Sequence, residues 1–157
     1  MILLDTNVLV YALNVDASQH QASKAIVQAG FAGDLPVVLV PQVLLEAYAI
    51  LTDPRRVAHP LAPAQAWAQI DAYRGGLPVL DFSAKVLDSL ADVVNTRGPV
   101  AQDIFDAALV AQMRAYGVAT LCTFDTEGFR GFPGISAEAP DAMLRRFRLP
   151  RSRRAEP

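Results

Sequence analysis

The amino-acid sequence predicts an α/β protein, a three-layer sandwich in which a mainly parallel central sheet is flanked by helices. Two patterns predict it. Short apolar, β-prone runs alternate with longer stretches of helical periodicity, and acidic residues close several of those runs. The chain has 157 residues, 52% of them hydrophobic, enough for one self-sufficient core that buries roughly 70% of the unfolded surface.

Ile2-Leu3-Leu4 is an apolar run closed by Asp5, which reads as a strand followed by a helix, Thr6 to Leu13, capped by that aspartate. Ser18 to Phe31 carries apolar residues at Ala22, Ala25, Ile26 and Ala29, a helical spacing ended by Gly30 and Gly33. Pro36 to Val40 is the apolar, β-branched run expected of a strand covered on both faces. Pro41 suits a first helical position, and the helix runs on through Gln42 to Leu51 until Thr52-Asp53-Pro54 breaks it. Helices are expected at Pro63 to Tyr73 and at Ser83 to Thr96, the latter with Ser83 as N-cap, and a strand at Leu77 to Leu80 between them. Gln102 to Tyr116 is a helix closed by Gly117. Val118 to Phe124 is a further buried strand ending at Asp125, followed by a Gly-rich loop over residues 126 to 134.

Composition excludes several classes. Cys122 is the single cysteine, so no internal disulfide framework exists, and with two histidines and no CxxC a tetrahedral zinc site lacks ligands. A metal here must be held by oxygen. The run before Asp5 is too short for a signal peptide or a membrane span, which makes a cytoplasmic protein the expectation. Nucleotide-binding glycine motifs and a GxSxG elbow are missing. Lys24 and Lys85 both fall in expected helices, so the strand-end lysine of a phosphate-accepting receiver domain is missing too. Asn7 stands where a haloacid-dehalogenase-type phosphatase needs its second aspartate.

Charge is unevenly distributed. Residues 1 to 144 hold eight basic and 15 acidic side chains, a net of −7, whereas residues 145 to 157 hold six arginines and Glu156, a net of +5. The expected organisation is one domain over residues 1–140 and an Arg-rich C-terminal tail over 141–157, read as a mobile end.

In an open α/β sheet the binding crevice lies beyond the carboxyl ends of the strands. Asp5 and Asp125 close strands there. Glu46 is the only charged residue between Pro41 and Thr52 and shares a helical face with Val43, Ala49 and Ile50, while Asp106 has Leu109, Val110 and Met113 as helical neighbours. Asp103 lies one turn earlier, where capping is an equally good use for a carboxylate. Two strand-end aspartates and two apolar-flanked helical carboxylates amount to a hard-cation site of the Mg²⁺ or Mn²⁺ type. A divalent ion there reverses the sign of the potential and admits an anionic phosphodiester for hydrolysis.

Four segments in order, Asp5-Thr6-Asn7-Val8-Leu9-Val10, Glu46 in its helix, Phe105-Asp106-Ala107-Ala108-Leu109-Val110-Ala111 and Thr123-Phe124-Asp125-Thr126-Glu127-Gly128-Phe129, resemble the PIN-domain ribonucleases. The size is similar to that of the VapC toxins of bacterial toxin-antitoxin pairs. The resemblance covers roughly residues 1 to 136. It implies a PIN-like nuclease domain over residues 1–140 and a Mg²⁺-dependent (or Mn²⁺-dependent) endoribonuclease that cuts structured RNA, often tRNA. It also implies a homodimer and a VapB-like antitoxin that blocks the crevice. Asp5, Glu46, Asp106 and Asp125 match the family's acidic quartet, and Thr6, Asn7 and Thr123 match polar positions that orient a carboxylate or a metal-bound water. Many relatives carry Asn at the position of Asp125 and Asp at that of Gly128, which makes Glu127 the alternate ligand. Arg55, Arg56, Arg74, Arg97, Arg114 and Arg130 are candidates for contact with RNA. The rival reading is a PIN-like binding module, catalytically weak and held in a protein or RNA complex.

Overall fold

The computed structural model describes residues 1–149. The order is β1 (Ile2–Leu4), α1 (Thr6–Leu13), α2 (His20–Ala32), β2 (Val37–Val38), α3 (Pro41–Thr52), α4 (Pro63–Gly76), α5 (Ala84–Arg97), α6 (Asp103–Ala115), β3 (Thr120–Cys122), β4 (Ser136–Glu138) and α7 (Pro140–Phe147). The four strands form one sheet in the order β2-β1-β3-β4, every pair parallel. β1 lies inside the sheet, in register Leu3 with Val38 on one side and Leu3 with Leu121 on the other. Leu3, Leu4 and Leu121 are fully buried, as strands covered on both faces must be.

This topology decides where a site can lie. From β1 the chain passes through two helices to β2 on one side of the sheet, and it later returns to β3 on the other side. The direction of winding therefore reverses between β1 and β3. The crevice of such a sheet opens beyond the carboxyl ends of those two strands, where Asp5 and the segment Thr123-Phe124-Asp125 emerge.

The α/β sandwich and the strand-helix order predicted from sequence are present, with β4 added beyond the predicted strands and three further differences. The strand expected at Leu77 to Leu80 is a single parallel bridge between Leu39 and Val79, flanked by Leu39 N to Pro78 O and Leu80 N to Leu39 O, both 2.8 Å. Pro78 has no N–H, so the ladder cannot extend through it. Ser83 stands at the N-cap of α5, but its side chain makes no capping hydrogen bond. The third difference is at the C-terminal end. The boundary expected at residue 140 coincides with the start of α7, which packs against α2 and buries Met143 and Leu144. Pro140 opens that helix, and Arg145 and Arg146 fall in its last turn, where the helix dipole favours cations. The arginines dominate the local composition and hide a two-residue apolar face. Arg151, Arg153 and Arg154 lie outside the described residues.

α5 and α6 pack against each other, and residues of both, Arg97 from α5 and Asp103 and Asp106 from α6, line a cleft. Among the described residues, no helix is long and apolar enough to cross a membrane.

Candidate active site

The site grows from the end of β1. Asp5 is the N-cap of α1 and its Oδ1 accepts from Thr6 N at 2.7 Å, the capping bond expected from sequence. Its Oδ2 accepts two further bonds, from Asn7 Nδ2 at 2.7 Å and from Thr123 Oγ1 at 2.6 Å. Three donors thus hold a half-buried carboxylate in one orientation. Burial raises the Asp5 pKa, the Thr123 and Thr6 bonds work against that shift, and the charges of Glu46 and Asp125 reinforce it.

Thr123 is fully buried at the end of β3 and ties the two strand ends together. While donating to Asp5, its hydroxyl oxygen accepts from Asn7 Nδ2 at 3.0 Å and from Asp125 N at 2.9 Å. Asn7 completes the frame by accepting from Phe124 N at 3.2 Å through Oδ1. The supporting role that the resemblance implies for Thr6, Asn7 and Thr123 therefore has a physical form here: each holds a carboxylate-bearing backbone segment or a carboxylate itself.

Glu46 comes from α3. Its Oε2 accepts from Thr6 Oγ1 at 2.8 Å and its Oε1 from Gln42 Nε2 at 2.9 Å. Gln42 also donates to the carbonyl of Phe105 at 3.1 Å, which links α3 to the first turn of α6 beside Asp106. Gln42 was not singled out from the sequence. The signal was its position four residues before Glu46, the spacing at which an amide and a carboxylate meet on one helix.

Asp106 reaches solvent at the mouth of the crevice. Its pKa is raised, first by partial desolvation and then by the charges of Asp5, Asp125, Glu46 and Asp103. Those four carboxylates are therefore near enough to be felt. Asp103 and Asp106 line a cleft of about 300 Å³ that is also bounded by Arg97, Gly128 and Phe132. Asp125 is exposed, and its Oδ1 accepts from Gly128 N at 3.0 Å. A Cβ at position 128 would stand 2.6 Å from Asp125 Oδ2, so a side chain at 128 and this placement of Asp125 exclude one another. Glu127 is held away from the set in an exposed ion pair with Arg130 Nη2 at 2.8 Å.

The four sequence-predicted carboxylates thus gather at one end of the sheet, with Asp103 beside them and Glu127 apart. Among the described residues, no three carboxylate, imidazole or thiol side chains close tightly enough to form a finished metal cage. Like charges brought together repel, and hydrogen bonds on Asp5, Glu46 and Asp125 orient three of the four.

Comparison with known proteins agrees with this architecture. The family described as the PIN domain matches residues 2–134. Ribonuclease VapC24 of Mycobacterium tuberculosis is 31% identical over 133 residues, covering 84% of this chain and 91% of its own length. Ribonuclease VapC48 of the same species is 33% identical over 141 residues, covering 87% and 94%. The chain belongs to the PIN-domain family, among the VapC ribonucleases. Two solved structures share the fold. VapBC2 from Rickettsia felis bound to a DNA fragment from its promoter has a TM-score of 0.64 at 22% identity, over 88% of this chain and 98% of that one. VapC20 of M. tuberculosis, described as a sarcin-ricin loop cleaving toxin, has 0.62 at 20% identity, over 86% and 98%.

Proposed function

We propose that this protein is a divalent-metal-dependent endoribonuclease, the toxin of a VapBC-type toxin-antitoxin pair, cutting tRNA or another structured RNA in the cytoplasm. The observation that carries this reading is the convergence of Asp5, Glu46, Asp106 and Asp125 from four elements at the switch point of a parallel sheet. The two VapC ribonucleases similar along most of their length support the class of reaction. Solved neighbours described as VapBC complexes support a VapB-like antitoxin as partner, and a homodimer is the assembly expected with it.

The donor set fits a hard cation. Every candidate ligand is a carboxylate oxygen, and mutual repulsion makes the group short of positive charge. Bound Mg²⁺ or Mn²⁺ supplies a Lewis acid that makes water a competent nucleophile and offsets charge on the leaving oxygen. The chain's own residues do the positioning. Asp5 is clamped by Thr6, Asn7 and Thr123, Glu46 is steered by Thr6 and Gln42, Asp125 is held at the mouth by Gly128 N, and Asp106 stands at the mouth with freedom to turn toward an ion. The open arrangement of the carboxylates is the one observation favouring the rival, a catalytically weak PIN-like binding module.

The deciding experiment is incubation of purified protein with a tRNA pool in Mg²⁺, in Mn²⁺ and in chelator, beside Asp5→Asn, with Mn²⁺ binding measured by calorimetry. Cleavage that needs the metal and disappears in the variant supports the ribonuclease. Equal inertness of both proteins, with no metal bound, gives the binding module precedence.

A further inference from the structure

A carboxylate-lined crevice on a body of net charge −7 repels RNA, so some cation must hold the strand close to it. Four of the six arginines in the body have other tasks or stand elsewhere. Arg55, Arg74 and Arg130 form surface ion pairs with Asp53, Asp71 and Glu127, and Arg114 donates to the carbonyl of Pro133 at 3.1 Å. Arg97, the last residue of α5, is different. It is the one cation lining the cleft that contains Asp103 and Asp106.

Its guanidinium is fixed in place. Nη1 donates to the carbonyl of Gly131 at 2.5 Å, and Cζ lies 4.3 Å from the ring centroid of Phe132, itself 8% exposed. Gly131 has φ +96°, and a Cβ there would meet Nη1 at 3.2 Å, so glycine supplies both the backbone conformation and the room. Two carboxylates share the cleft, yet among the described residues Arg97 forms no ion pair with either. One of five N–H donors is used on Gly131 and the planar group is already ordered by stacking, which lowers the entropy lost on binding a planar or tetrahedral oxyanion.

We propose that Arg97 is a substrate-positioning residue that binds a backbone phosphate of the RNA strand lying across the acidic set. This rests on the ribonuclease reading. A purely structural role, clamping the loop of residues 131 to 133, is the competing account, and Arg114 provides its control because it clamps the same loop from outside the cleft.

The test is binding of labelled tRNA by fluorescence anisotropy across a salt series, in the Asp5→Asn chain with Mg²⁺ so that no strand is cut. Arg97→Gln is expected to weaken binding about tenfold and to lower the salt slope by about one, Arg97→Lys to keep the slope, and Arg114→Gln to leave it unchanged. Thermal melts of each variant separate loss of contact from loss of fold. An unchanged slope in Arg97→Gln, an equal effect in Arg114→Gln, or no RNA binding in the parent overturns the proposal. Its fate is separable from that of the ribonuclease reading. RNA binding with an Arg97-dependent slope but no cleavage by the unsubstituted chain defeats the enzyme and keeps the phosphate contact, while cleavage with an Arg97-independent slope does the reverse.

Discussion

Thr123 donates its hydroxyl to Asp5 Oδ2 at 2.6 Å across the boundary between β3 and β1, two residues separated by 118 positions in the chain. The same oxygen accepts from Asp125 N and Asn7 Nδ2, so one buried hydroxyl sets both strand-end aspartates. Thr123→Val keeps the shape and removes all three bonds. It should cost on the order of 1–3 kcal/mol, because Asp5 loses a donor and a backbone N–H loses its acceptor. Metal affinity should fall about 10- to 100-fold, as for other groups that orient ligands. Chemical denaturation and Mn²⁺ calorimetry check the two effects, and Thr123→Ser should restore both.

Asp106 has a raised pKa from burial and from four neighbouring carboxylates. For such a group the folded state prefers the protonated form. Its contribution to stability is therefore full below the ordinary carboxylate range and is lost as pH rises through the raised value. Asp106→Asn removes a charge with no hydrogen-bonding duty shown for it, so Tm should rise by about 1–3 °C near neutral pH and match the parent at about pH 3. The gain is modest because Asp106 reaches solvent, which screens the repulsion. RNA cleavage should be lost in the same variant, a trade of activity for stability. Differential scanning calorimetry over a pH series measures the first effect and the tRNA assay the second.

Gly128 and Asp125 form a matched pair, since a Cβ at 128 would come within 2.6 Å of Asp125 Oδ2. Gly128→Ala should displace that carboxylate and lower cleavage about tenfold with little loss of Tm, because both residues are exposed. In an Asp125→Ala background the same change should have no further effect. A double-mutant cycle on activity reads that non-additivity directly.

Cys122 is fully buried at the end of β3, and its thiol pKa is pushed far up by burial and then by the charges of Asp5 and Glu138. A thiol in that setting is inert. Labelling by a disulfide reagent should proceed only at the rate of unfolding, and activity should be indifferent to mild oxidants. Fast stoichiometric labelling of the native protein would contradict the packing described for β3.

Much of the fold was legible in the sequence because its signals are local. Apolar runs, helical spacing, Pro41 at a helix start and Gly33 at a helix end, where φ is +79°, each report on a few adjacent residues. The failures were also local. Ser136–Glu138 is too polar to read as a strand and exists because its backbone completes the ladder beside β3. Met143 and Leu144 were hidden among arginines, and only docking on α2 gives them a core to face.

For the site, the sequence by itself determined the candidate donor set: carboxylate oxygens in place of thiol or imidazole, aspartates at strand ends, and a helical Glu46 among apolar neighbours. Only the tertiary structure decided which of these meet. Glu127 is two residues from Asp125 yet is turned to Arg130, whereas Asp103 and Arg97 share a cleft although a glycine-containing turn separates their helices. Spacing along a chain says little about distance once helices cross a sheet. The pairing of β1 with β3 is what brings Asp5 and Thr123 together, and the dense hydrogen bonding that orients Asp5 follows from that long-range register.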